Sequence, residues 1–177
     1  MNPLVVTVSL PELNFMCRLG PADASAPGPD RAIPELEVLN LYAGVWDDEI
    51  SSPASLRRTE VGTWVLDGTF LRQSWITEAS ENIPKASGIT MMTFDVKRKA
   101  YLSWAFLAIG SVVHNQGRWD ADSRTMTWTD RLGGFGEIVI TTARFIGDVT
   151  NVWRIVEQDV EGKIVREVNG TSVRRRS

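Results

Sequence analysis

The sequence predicts an all-β protein, an antiparallel up-and-down barrel of about ten strands with a short helix before the first strand. Three observations carry this expectation. From Val45 onward, runs of roughly eight to twelve residues rich in β-branched and aromatic side chains replace any helical periodicity. The runs are separated by turn chemistry at Asp67-Gly68, Lys97-Arg98, Asp122-Ser123, Gly147-Asp148 and Glu161-Gly162, so strands adjacent in sequence are expected to be adjacent in space. An open sheet of that many strands would expose two long unpaired edges, and closure removes them.

The elements follow in order. Residues 20–30 (GPADASAPGPD) have linker composition, which divides the chain into an amino-terminal extension and linker, 1–33, and a barrel domain, 34–177. Upstream, Met1 to Arg18 holds a strand-like LVVTVSL with three readings open: a disordered tail, a cover for the barrel mouth, or a start-site artefact with Met16 as the true beginning. Pro34 suits a first helical position, and Leu36, Val38, Leu39 and Leu41 give a short helix an apolar side before Gly44 ends it. The strands are expected at 45–52, 55–66, 69–79, 87–96, 99–109, 111–120, 124–131, 136–146, 149–159 and 162–174.

Composition removes several function classes. With 22 acidic and 19 basic residues the chain has a formal charge of −3, and so lacks the field that attracts nucleic acid. The single Cys17 and the single His114 leave no internal disulfide, no cysteine-rich metal or iron–sulfur site and no two-histidine motif, so neither a metal nor a cofactor is expected. No Lys or Arg precedes the apolar start, Pro11 and Glu12 interrupt it, and no run approaches the ~18 apolar residues of a membrane span, which makes a cytoplasmic location the expectation.

Weaker signals fail on geometry. Asp120-Ala121-Asp122 opens like a calcium loop, but Thr125 and Arg131 stand where the loop needs Gly and Glu. Gly133-Gly134-Phe135-Gly136 precedes a strand and not a helix, so it reads as a turn. Asp47-Asp48-Glu49 cannot converge on an ion, because successive strand residues point to opposite faces. Arg174-Arg175-Arg176 reads as a solvated tail.

Residues equidistant from a two-residue turn share a face, so each hairpin sorts its own side chains. Around Asp122-Ser123, Val113, Trp119, Met126 and Trp128 form the inner set, which leaves His114 on the polar, solvated side. Around Asp67-Gly68, Arg58, Glu60, Trp64, Gln73 and Trp75 share one face, and two tryptophans among Arg, Glu and Gln suit either a ligand cavity or a solvent face. Around Lys97-Arg98, Ile89, Met91, Leu102, Trp104 and Phe106 oppose Met92, Phe94, Tyr101 and Ala105. Both of those faces are apolar; one lines the barrel and the other is left for the helix, the amino-terminal segment or an oligomer contact. Glu157 pairs across the last turn with Arg166, and Arg154 with Asn169. The candidate ligand-binding set is therefore Arg58, Glu60, Gln73, Trp75, Met91, Trp104, Phe106, Trp119, Trp128 and Arg154.

The helix followed by Leu41-Tyr42-Ala43-Gly44-Val45-Trp46, the Trp64-Val65-Leu66-Asp67-Gly68-Thr69-Phe70-Leu71 hairpin, and Phe94-Asp95 with Tyr101 and Trp104 resemble the calycin-like barrels. These include lipocalins, fatty-acid-binding proteins and nitrobindins, and the resemblance is nearest to an uncharacterised bacterial lipocalin-like family, over Pro34 to Arg174. It implies a barrel that encloses an apolar or amphipathic small molecule. The chain departs from the haem-binding branch, since Asp48 replaces the second glycine of the nitrobindin-like Gly-x-Trp-x-Gly opening and the last strand has no histidine. Haem carriage of that type is thus not expected. Three classes remain open: a small-molecule carrier, an enzyme using a cavity carboxylate such as Glu60 with Arg58 or Arg154, and a filled barrel that presents interaction surfaces, a homodimer among them.

Overall fold

In a computed structural model that describes residues 28–52, 55–79, 85–131 and 137–176, the chain forms a closed antiparallel barrel of ten strands with one 3-10 helix, Pro34–Tyr42. The strands are β1 Gly44–Ser52, β2 Leu56–Val65, β3 Phe70–Thr77, β4 Ala86–Asp95, β5 Ala100–Leu107, β6 Val112–Asp120, β7 Thr125–Arg131, β8 Ile138–Ile146, β9 Thr150–Gln158 and β10 Ile164–Arg174. Each pairs with the next, and β10 closes on β1 through Trp46↔Arg174 to Ser52↔Asn169. The expected architecture and all ten strands are present, with ends displaced by no more than two residues. The expectations for Met1 to Arg18, for most of the linker and for the glycines at 133–136 concern residues outside those described.

Three of the hairpin loops are longer than two residues, yet they preserve the expected faces. Val65 pairs with Phe70, Asp95 with Ala100 and Asp120 with Thr125, so each of these loops has four residues centred where a two-residue turn would be. Adding one residue on each side leaves the sum of paired positions unchanged, and side-chain parity survives. Asp95 and Asp120 stabilise their loops alike, each carboxylate accepting a backbone N–H two residues on, from Lys97 and from Asp122.

One end of the barrel is plugged. Leu36, Leu39 and Tyr42 are the buried residues of the helix, and their spacing of three matches the three residues per turn of a 3-10 helix. They pack on Trp46, Trp64, Leu71, Met92, Tyr101, Met126 and Phe145, with the Tyr42 and Phe145 rings 4.9 Å apart edge to face. Truncating one of these fully buried leucines to Ala should cost about 2 to 5 kcal/mol.

Polar anchors fix the plug. Trp64 Nε1 donates to Asn40 Oδ1 at 2.8 Å, and Tyr101 Oη donates to the Glu35 carbonyl at 2.9 Å. Arg174 Nη2 donates to the carbonyls of Asn40 and Leu41, with its guanidinium over the Trp46 ring at 4.7 Å. Arg175 pairs with Asp47. The expected solvated tail is therefore corrected at Arg174, which the pairing of β10 with β1 carries inward onto the helix end, while Arg175 stays exposed beside Asp47.

Candidate functional site

Beyond the plug, the alternation of ten strands brings a set of polar side chains together inside the barrel. They surround a cavity of about 230 Å³, lined by Tyr42, Arg58, Glu60, Gln73, Thr90, Ser103, Ala105, Asn115, Trp128, Thr141, Ala143, Asn151, Trp153, Ile155 and Ser172. An apolar cavity of about 150 Å³ accepts benzene, so this one has room for a compact molecule.

Three tryptophans shape the interior by one shared device. Trp75, Trp128 and Trp153 stand directly opposite Gly88, Gly117 and Gly170 in the strand pairing. A Cβ at Gly88 would meet Trp75 at 2.6 Å, one at Gly117 would meet Trp128 at 2.5 Å, and one at Gly170 would overlap Trp153. Each indole thus lies flat across its glycine neighbour. The N–H groups of two of them are satisfied within the wall: Trp128 Nε1 donates to Tyr42 Oη at 3.3 Å and Trp153 Nε1 to Ser172 Oγ at 3.1 Å.

The charged wall is built on β1, β2 and β3. Alternation turns Trp46 and Asp48 inward from β1, Arg58 and Glu60 from β2, and Gln73 and Trp75 from β3. Arg58 Nε donates to Asp48 Oδ2 at 2.5 Å, and its Nη2 pairs with Glu60 Oε1 at 2.8 Å. Gln73 Nε2 donates to the other Glu60 oxygen at 2.5 Å. The rings of Trp153 and Trp75 flank the guanidinium at 5.0 and 5.9 Å.

Two carboxylates share one cation, and burial sets their chemistry. Desolvation pushes the Glu60 carboxyl up to about 7; Arg58 opposes that shift, while the charge of Asp48 and a hydrogen bond between the two carboxyls add to it. Burial alone would lower the pKa of Arg58, but Glu60 and Asp48 outweigh it and hold the guanidinium firmly charged. Burial also raises the Tyr42 phenol, against the Trp128 hydrogen bond and with help from the charge of Glu60. Two buried acceptors, Asp48 Oδ1 and Asn151 Oδ1, have no donor among the described residues.

Of the residues expected at a site, Arg58, Glu60, Gln73 and Trp128 line the cavity. Trp75 faces inward beside Arg58, and Trp119 packs against Phe145 in the plug. Met91, Trp104, Phe106 and Arg154 are corrected. Met91 and Trp104 pair with each other on the outer face, where Trp104 stacks on exposed His114 at 5.4 Å, and Phe106 is 47% exposed on the same face. Arg154 points outward and pairs with Glu167 at 2.7 Å, which holds that carboxylate down at about 2. Glu157 and Arg166 do oppose one another, 4.0 Å apart.

Sequence reasoning missed Asp48, Asn151, Trp153 and the hydroxyl residues Thr90, Ser103, Thr141 and Ser172. The available signal was glycine in mid-strand: Gly88, Gly117 and Gly170 each mark a close approach, and the residue opposite each one is an inward tryptophan. No helix among the described residues is long and apolar enough to cross a membrane. Scanned against protein-family models the chain matches none, and a search of curated proteins likewise finds no match. Fold and site together define a closed ten-stranded antiparallel barrel with a polar-walled internal cavity, an architecture consistent with the calycin-like folds.

Proposed function

We propose that this protein is a small-molecule-binding barrel of calycin-like, lipocalin-like type, acting in the cytoplasm on a compact amphipathic ligand. The observation that carries this reading is the cavity of about 230 Å³ in which the aromatic wall of Trp128 and Trp153 meets Asn151 Oδ1, an acceptor without a donor among the described residues. A filled barrel would have no such space, and a cavity for a purely apolar guest would have no use for so many hydroxyl and amide groups. The interior thus favours an amphipathic ligand of modest size over a long fatty chain.

A second reading has its own support. Glu60, pushed up to about 7 by burial, can give or take a proton near neutral pH within that cavity, as an acid–base catalyst must. Native mass spectrometry of the gently purified protein tests both. A retained molecule released unchanged after prolonged incubation supports carriage. Conversion that stops in Glu60→Gln supports the enzyme. Absence of any retained molecule, together with no saturable change in tryptophan emission across a panel of small aromatic alcohols, acids and amines, removes the binding function.

A further inference from the structure

The chemical class of the ligand follows from what the wall leaves unsatisfied. Arg58 is the one cation in the cavity lining among the described residues, and two of its nitrogens are held by carboxylates. Its Nε goes to Asp48 and its Nη2 to Glu60, and indole rings lie on either side. An incoming carboxylate or phosphate would meet two acidic groups within the same wall. Against one positive charge stand two carboxylates, so with both ionised the wall carries a net charge of −1. Asn151, more than nine-tenths removed from solvent, holds a buried acceptor, Oδ1, with no donor among the described residues. What the wall leaves unmet is therefore negative charge and a buried acceptor.

We propose that the cavity takes a compact organic cation, an amine with a small apolar body, whose ammonium group sits against the Glu60–Asp48 side of the wall and donates to Asn151 Oδ1. The apolar body lies along the Trp128 and Trp153 faces. This rests on the reading of the cavity as a small-molecule site and narrows it to one ligand class. The cation replaces the proton that Glu60 otherwise retains near neutral pH. The groups around Glu60 are Asp48 from β1, Arg58 on its own strand, Gln73 from β3 and Tyr42 from the helix. Farther along the inner face lie Asp130 on β7 and the Glu157–Arg166 pair on β9 and β10. Among these, Glu60 is the carboxyl raised to about 7, so binding of an amine that stays protonated over this range should strengthen from pH 6 to pH 8 and release protons as it does.

The experiment is calorimetric titration of the full chain with 2-phenylethylamine, 2-phenylethanol and phenylacetate, in two buffers of different ionisation enthalpy at pH 7. The amine should bind at least tenfold more tightly than the alcohol, the acid should not bind, and the two buffers should report proton release. Glu60→Gln should bring the amine to the affinity of the alcohol and abolish the proton release, and Asn151→Leu, which leaves the charged wall intact, should weaken the amine several-fold. Equal or tighter binding of the alcohol or acid overturns the cation while leaving a small-molecule cavity in place. Failure of all three ligands to bind at millimolar concentration overturns both.

Discussion

Trp153 lies flat across Gly170, its directly opposed partner on β10, with the indole N–H on Ser172 and the ring face beside Arg58. One glycine thereby positions both an aromatic wall of the cavity and one side of the buried guanidinium. A methyl group there has no room, since it would overlap the ring. Gly170→Ala should destabilise the protein by about 1 to 3 kcal/mol, an overpacking cost, as read by urea denaturation. An unchanged midpoint would show that the indole can move aside freely.

Arg58 neutralises two buried carboxylates at once. Arg58→Met keeps the bulk and removes the charge, leaving Asp48 and Glu60 facing each other without a cation. The expected loss at pH 7 is about 3 to 5 kcal/mol. Without Arg58 the Glu60 carboxyl, already raised by burial, is pushed further toward its neutral form in the folded state, so the deficit should shrink as pH falls toward 5. Denaturation curves at the two pH values check this, and a deficit that grows in acid would contradict it.

Glu60 links stability to pH in a fixed direction. Its folded pKa of about 7 lies above its ordinary value of 4.5, so its contribution is complete below pH 4.5 and is lost as pH rises through 7. The shift corresponds to roughly 3 kcal/mol. Glu60→Gln, which can still accept from Arg58 through its amide oxygen, should remove this dependence, and relative to the native protein the variant should gain stability between pH 5 and pH 8. Parallel stability profiles for the two proteins would show that Glu60 titrates normally.

The outer face should be indifferent to cavity ligands. Arg154→Ala breaks an exposed pair with Glu167, and Trp104→Ala removes a ring stacked on His114 outside the barrel. Both variants should bind a cavity ligand as the native protein does, whereas Trp128→Phe should weaken binding and change the emission response. A loss of binding in Trp104→Ala comparable to that in Trp128→Phe would place the ligand on the outside.

These contrasts show what was legible in the residues. Turn chemistry located all ten strands, and loop parity placed Trp119 and Trp128 on an inner face and grouped Arg58, Glu60 and Gln73 on one face, which the sequence left open between cavity and solvent. The β4–β5 hairpin went the other way because both of its faces are apolar, so hydrophobicity could not choose between Met91 with Trp104 and Met92 with Tyr101. The deciding residues there are Thr90 and Ser103, whose hydroxyls belong to a polar cavity and not to a solvent face. Asn151 and Asp48 were illegible for a different reason. Their significance lies in a missing partner, which only the packing of β9, β10 and β1 reveals.

The cavity itself is most directly tested by filling it. Ala105 lines it from β5 without joining the charged wall, and Ala105→Phe should occupy the space while leaving Arg58, Glu60 and Gln73 in place. The measurement is calorimetric titration of native protein and Ala105→Phe with the same small aromatic amines and alcohols, each protein first shown to unfold cooperatively. The expected result is saturable one-to-one binding to the native barrel and none to the filled one. Equal affinity for both proteins would contradict a ligand site inside the barrel.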